Sequence, residues 1–402
     1  MIANLPASRK NTLILGFTLL VVMLGYGMVL PVMPFYIEEL GAGGRELGWL
    51  MASYSLMQLI FAPIWGTLSD RIGRKPVLSL GVLGYAIALL MFGLATEYWM
   101  LFLARTFSGI LSSATMPTAM AYIGDNLPEK ERSSGMGQLG AAMGVGVVLG
   151  PLIGGMLSSE WLALPFFIGS GLAALAFLLV LFLLPESRAR QSVARQNTSL
   201  TWEVIRHTLL SPAGVILLLI FIMSFGLSNF QGIIGLYVVD KLAFNTKQVG
   251  TIWMVLGGVM ILAQGVLTGP LTKRFGELML IRIGLLVGAL GFILITLASG
   301  YITMLLSISI LTLALALIGP ALNAFISCYA GDHQGAVMGL NSATASLGRV
   351  LGPLWGGYIF DINMAYPFIN GAVTLLLGLL VSIIGIRAPV SASNSTSQTL
   401  VK

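Results

Sequence analysis

The sequence predicts an all-α membrane protein with twelve transmembrane helices arranged as two homologous six-helix halves. Composition is the first observation: 57% of the 402 residues are hydrophobic and only 9% are charged. Soluble domains carry about 25% charged residues, so lipid is the expected solvent for this much apolar side chain. The second observation is a series of twelve apolar runs, each near the ~20 residues that cross a bilayer. The third is an internal repeat at an almost constant offset.

The runs fall at 12–36, 46–68, 76–96, 99–123, 133–157, 161–184, 212–238, 248–270, 278–298, 301–329, 335–359 and 365–387. The first follows Arg9 and Lys10. It is too long for a signal-peptide core and no small-residue cleavage site follows, so it reads as a retained span. Between the sixth and seventh runs lies the one long polar stretch, 185–211, rich in Arg, Ser, Gln and Thr. It reads as a linker between a first half, 1–184, and a second, 212–390, while the polar tail 391–402 reads as disordered.

Charge orients the chain. Of its 21 Lys and Arg, sixteen flank one side of the predicted spans. Arg45, Lys241 and Lys247 flank the other, and Arg105 and Arg349 are embedded. Lys and Arg collect on the cytoplasmic side, so both termini are expected there, in a multi-pass protein of the cytoplasmic membrane. The net charge of +6 is spread over loops and offers no basic cluster for nucleic acid. The single cysteine, Cys328, sits in an apolar run and reads as a small buried hydrophobe.

The repeat is explicit. Gly146-Val-Val-Leu-Gly150-Pro151-Leu-Ile-Gly154-Gly155 in span 5 recurs 202 residues later as Gly348-Arg-Val-Leu-Gly352-Pro353-Leu-Trp-Gly356-Gly357 in span 11. Pro117 and Pro320 are 203 apart, as are Gly66 and Gly269. Three features at one offset indicate two copies of a six-helix unit with a substrate site between them. Small residues at this spacing make a flat face for close helix packing, and a proline removes one amide donor.

The densest charge in the first hundred residues is Gly66-Thr-Leu-Ser-Asp70-Arg71-Ile-Gly73-Arg74-Lys75. Placed between two apolar runs, it is a tight loop on the cation-rich side. It resembles, at every fixed position, the loop signature GxLxDRxGRK of the major facilitator superfamily. The span 5 pattern resembles the antiporter motif of its drug:proton branch. Leu24-Gly25-Tyr-Gly27-Met-Val-Leu-Pro31-Val-Met-Pro34 resembles the span 1 signature of the twelve-helix antiporters. Arg105 to Gly109 resembles the superfamily's RxxxG motif. Segments 224–230, 275–282, 330–335 and 360–368 are similar to Gram-positive multidrug efflux members.

The resemblance implies roles. Asp125 would pair with Arg74, and Asp70 would face the N-terminal end of span 11, latching the cytoplasmic side when the cavity opens outward. Gly66, Arg71, Gly73 and Lys75 complete that gate. Gly146, Gly150, Pro151, Gly154, Gly155, Gly352 and Pro353 would form a hinge, or simply a tightly packed seam. Arg105 carries the implied ion-coupling role.

Embedded charge must face a cavity or a partner, which points Arg105 and Arg349 inward. Tyr26, Tyr54, Gln58, Met143, Phe225, Asn229, Gln231, Trp253, Gln264, Asn323, Phe325, Asn341 and Trp355 are aromatic, amide and Met residues able to line a pocket. In the multidrug relatives two positions, here Gln231 and Ala316, carry acids suspected in proton and cation handling. None of the fifteen acids here falls mid-span. The cavity is therefore expected to be neutral to positive, favouring neutral or anionic amphiphiles. Proton coupling would use a rim acid such as Glu38, Glu39 or Asp125.

The expected function is proton-coupled efflux of drug-like amphiphiles by alternating access. The alternative is export of a specific neutral or anionic metabolite, sugar or lipid without strict proton coupling. No cofactor and no metal site are expected, and the proton gradient is the energy source. The partners are a small-molecule substrate and the bilayer, with the chain acting as a monomer. His207 and His333 lie in or beside loops, and no catalytic constellation or phosphate loop appears, so enzymatic chemistry is not expected.

Overall fold

In the computed structural model, described for residues 7–187, 206, 208, 210–328 and 334–386, the chain is built from long helices. The first half runs α1 (Ala7–Glu39), α2 (Gly44–Ile72), α3 (Arg74–Gly93), α4 (Tyr98–Ser112), α5 (Thr115–Asn126), α6 (Glu129–Leu157) and α7 (Leu164–Leu183). The second runs α8 (Pro212–Leu242), α9 (Thr246–Leu262), a π-turn (Ala263–Leu267), α10 (Thr268–Phe275), α11 (Glu277–Leu297), α12 (Tyr301–Cys328), α13 (Gln334–Phe360) and α14 (Tyr366–Gly385). Most of the predicted linker, the tail and the loop carrying Asp332 and His333 lie outside the described residues, as does His207.

Ten helical stretches among the described residues are long and apolar enough to cross a membrane. The two other predicted spans differ in informative ways. Span 4 is the pair α4–α5, interrupted at Ser113 and Ala114. Pro117 has no amide to donate to the carbonyl of Ser113, four residues back, so the ladder breaks there. Span 11 is α13, long enough at 27 residues but diluted by glycines, serines, Asn341 and Arg349. In span 8 the chain passes through the π-turn, and Thr268 Oγ1 donates to the carbonyl of Ala263 at 2.8 Å. Pro270 removes the amide that Val266 would have used.

The repeat is visible in three dimensions. Gly73 (φ 104°) ends α2 and Gly276 (φ 75°) ends α10. Both turns need a backbone that only glycine adopts cheaply. Within the first half α1 lies along α6. Gly146 faces Leu20, Gly150 faces Leu24 and Gly27, and Gly154 faces Met28. Within the second half α8 lies along α13. Gly348 faces Phe225, Gly352 faces Ser228 and Asn229, and Gly356 faces Asn229 and Ile233. One row of the glycine motif thus clamps helices within each half.

The adjoining row crosses between halves. Gly250 of α9 abuts the Pro151 carbonyl and Gly155 of α6, and Gly48 of α2 abuts the Pro353 carbonyl and Gly357 of α13. These two seams are related by the same 202-residue offset. Pro34 meets Gly235 between them, joining α1 to α8. All these contacts lie at the end of the bundle away from the Arg74 loop, here called the far end. Toward the opposite, basic end, a Cβ at Gly66, Gly137, Gly140, Gly265 or Gly269 would meet open space. The molecule is closed at the far end and open at the basic end.

Candidate functional site

At the basic end the signature loop folds onto its own half. Arg74 Nε donates to Asp125 Oδ2 at 2.9 Å, and Nη1 contacts Asp70 Oδ1 at 2.6 Å and Ser69 Oγ at 2.7 Å. The amides of Arg74 and Lys75 donate to Glu186 Oε1 at 2.9 and 3.2 Å, so a carboxylate from beyond α7 caps α3. In the sequence Glu186 is only one of several loop acids. Its signal is indirect: α3 starts after Gly73 with no side-chain cap of its own. Asp70 is paired with Arg74 one turn on, while α2 meets α13 at the far end through Gly48 and Gly357. Arg71 is exposed and Gly66 borders open space. Arg74→Ala is expected to destabilise the first half by about 1–2 kcal/mol, since it leaves two carboxylates unpaired at a partly exposed site. Thermal unfolding in detergent, against Arg71→Ala as a neutral control, checks this.

Beneath the far-end seams lies a cavity of about 70 Å³ lined from both halves. Arg105 and Arg349 both line it, with Tyr26, Met51, Tyr54 and Ser55 from one half and Ser228, Gln231 and Trp253 from the other. Arg105 is buried at 2% exposure. Its guanidinium lies 4.5 Å from the ring centroid of Tyr54 and 5.6 Å from that of Tyr26, with Nη2 at 3.5 Å from Met51 Sδ. Cation–π contacts of this kind are worth about 0.5–2 kcal/mol each, against several kcal/mol for embedding the charge. Arg349 is exposed to the opening and its Nη2 donates to Ser346 Oγ at 2.7 Å. Among the described residues, no carboxylate lines this cavity. Two donors on its wall, Arg105 Nε and Trp253 Nε1, are buried without a hydrogen-bond partner.

Other sequence-predicted residues lie elsewhere. Gln58, one turn along α2 from the cavity-lining Tyr54, is not among the residues that line it. Phe225 and Trp355 line a separate cleft of about 560 Å³ with Asn370 and Thr374. Asn229 is fully buried and its Nδ2 donates to the Pro367 carbonyl at 2.7 Å, so it ties α8 to α14 and lines no pocket. Asn341 Nδ2 donates to Asn323 Oδ1 at 2.7 Å, joining α13 to α12. Phe325 and Met143 pack in the hydrophobic core, and Gln264 is exposed on the π-turn.

The far end carries carboxylates from both halves around one groove of about 820 Å³. Glu38 at the end of α1 and Asp240 of α8 line it from opposite halves, near enough for their charges to interact. Asp361, just past α13, accepts from the Gly44 amide at 2.9 Å and the Arg45 amide at 3.2 Å. The second half therefore caps the N-terminus of α2 in the first. The equivalent helix α9 is capped by its own Asn245, whose Oδ1 accepts from the Gln248 amide at 3.0 Å. The sequence marks Asp361 and Asp240 only as acids on the outer side. Nothing local in a sequence shows that a carboxylate caps a helix 317 residues away.

The fold and the two charged ends find counterparts among known proteins. The family model of the Major Facilitator Superfamily matches residues 15–353 and 216–400. The chain is 34% identical over 372 residues to multidrug resistance protein 2 of Bacillus subtilis, covering 91% of this chain and 93% of the relative. It is 30% identical over 383 residues to the quinolone resistance protein NorA of Staphylococcus aureus, covering 94% and 96%. Among solved structures, a bacterial homologue of the human lysosomal transporter Spinster superposes with a TM-score of 0.76 at 16% identity, covering 94% and 95%. That last likeness concerns the fold alone. The helix count, the doubled glycine–proline motif, the signature loop and these matches over nearly the whole length agree, and the chain belongs to the major facilitator superfamily of membrane transporters.

Proposed function

We propose that this transporter exports drug-like amphiphiles from the cytoplasm by alternating access, in exchange for protons. The observation that carries the reading is an arginine-walled cavity lined by both halves, sealed on one side by paired glycine seams and open on the other. The moving bodies are residues 1–184 and 212–390, joined by the linker 185–211. The cation bias supports a basic end and both termini in the cytoplasm; on this reading the transporter works as a monomer, with its open end facing inward. The relatives' names, multidrug and quinolone resistance proteins, supply the substrate class. Proton coupling falls to Glu38. Asp125 is engaged by Arg74, whereas Glu38 meets another carboxyl across the moving seam. Separation of the halves would part the two carboxyls and alter proton affinity at the outer surface.

Purified protein in proteoliposomes under an imposed pH gradient tests this. Lumenal pH is recorded while a cationic dye, a neutral antibiotic and an anionic amphiphile are added separately. Substrate-triggered proton movement is expected, and Glu38→Gln is expected to reduce it at least about tenfold while substrate binding persists. Proton movement unchanged in Glu38→Gln would remove that residue from the coupling path. Binding with no proton movement in the wild type would favour the second reading, export of a specific neutral or anionic metabolite, sugar or lipid. The acid-free lining of the cavity is the observation that favours it.

A further inference from the structure

We infer that the apex of the cavity is a subsite for the anionic head of an amphiphile, such as a carboxylate or sulfonate, with its apolar body extending toward the basic end. The inference rests on the transport reading and goes beyond it by naming the charge and orientation of the bound molecule. Three observations carry it.

The first is unmet hydrogen-bond demand. Arg105 Nε and Trp253 Nε1 are buried donors without partners, and both residues line the same small space. Buried donors are nearly always satisfied, so an acceptor is called for at that point. One donor comes from each half, which makes the acceptor a bridge between the bodies that must move.

The second is charge. Arg105 and Arg349 flank the space, and among the described residues no carboxylate lines it. Arg105 sits over the Tyr54 and Tyr26 rings, in the place a cationic ligand would take in an aromatic cage. A lipophilic cation entering here would meet a guanidinium on the very faces that would attract it. An anion would receive charge-assisted hydrogen bonds, the strongest of the neutral-pH kinds.

The third is size. A space of about 70 Å³ is enough for a planar acid group, about two waters' worth, and too small for a ring system. Below it the walls open toward the basic end, where a body has room. Gln231 adds an uncharged amide to the lining.

The test is calorimetric titration of the full chain in detergent with three probes of one shape: 2-naphthoate, 2-naphthalenemethanol and 2-naphthylmethylammonium. The carboxylate is expected to bind at least about tenfold tighter than the ammonium. Arg105→Ala and Arg349→Ala should each shrink that preference to within about threefold, and Arg349→Lys should retain most of it. Trp253→Phe, which keeps the ring and deletes the donor, should weaken the carboxylate about five-fold and leave the alcohol unchanged. Where Arg105→Ala does not fold, Arg349→Ala on the water-facing wall decides. Equal or tighter binding of the ammonium to the wild type, or a preference that survives loss of the arginines, overturns the subsite. Arginine-dependent carboxylate binding in a protein that moves no solute in liposomes would uphold the subsite and sink the transport reading. Transport without a charge preference would do the reverse.

Discussion

Gly250→Leu is expected to abolish transport by holding the far end open. A Cβ on Gly250 would stand 2.6 Å from the Pro151 carbonyl oxygen and 3.0 Å from Gly155 Cα. Both neighbours are backbone atoms of α6 and have no rotamer to change. Gly48→Leu is equivalent at the other seam, with the Pro353 carbonyl oxygen at 2.5 Å and Gly357 Cα at 3.3 Å. Overpacking costs about 1–3 kcal/mol, and here the cost falls on one conformation only. Separated halves accommodate the side chain freely. A bias of that size moves a two-state equilibrium about 5- to 150-fold, so the inward-open state is largely lost. Transport in proteoliposomes should drop at least tenfold, about 1.4 kcal/mol in barrier terms. Spin labels at Thr96→Cys and Lys247→Cys, in a Cys328→Ser background, should report a longer distance across the far end. Gly171→Leu is the control, because a Cβ there meets nothing within 4 Å. If both seam variants transport normally, the glycine contacts are not a gate.

Asp361→Ala should shift the same equilibrium in the same direction, through charge rather than bulk. Its carboxylate accepts from the Gly44 and Arg45 amides across the seam. A carboxylate on a helix N-terminus satisfies two orphan donors and complements the helix dipole. Loss of a cap of this kind costs about 1 kcal/mol, or about a fivefold change in the ratio of closed to open far ends. Unlike most caps, this one exists only while the halves are together. The variant should therefore fold normally yet populate the far-end-open state more, read by the same spin-label pair. Asn245→Ala at the equivalent helix is the informative contrast. That cap is local to α9, so its loss should lower thermal stability without moving the far-end distance. Equal spin-label distributions in wild type and Asp361→Ala would show that the cap does not hold the gate.

Much of this architecture is legible in the residues. Hydrophobic run length follows from bilayer thickness, so the spans can be counted from the order of residues alone. The 202-residue repeat announces two halves because a duplicated unit keeps its glycines where helices touch. Arg105 and Arg349 are readable as cavity residues because an embedded guanidinium has few other places to go. Less is legible in the amides. Asn229 and Gln231 are two positions apart on α8, yet the first is fully buried against α14 and the second faces the cavity. Their helix is apolar all round, so no amphipathic face separates one from the other.

The sequence by itself determined the solvent, the number of crossings, the duplicated plan and the scarcity of embedded acid, because each depends on residue type and spacing along one chain. Tertiary structure decided which end is closed, that one row of the glycine motif clamps within a half while the next crosses between halves, and that Asp361 and Glu186 cap helices far from them in sequence. Those outcomes depend on which backbone atoms of distant helices come within van der Waals reach. That distance is set by the packing of whole helices and is written in no local stretch of residues.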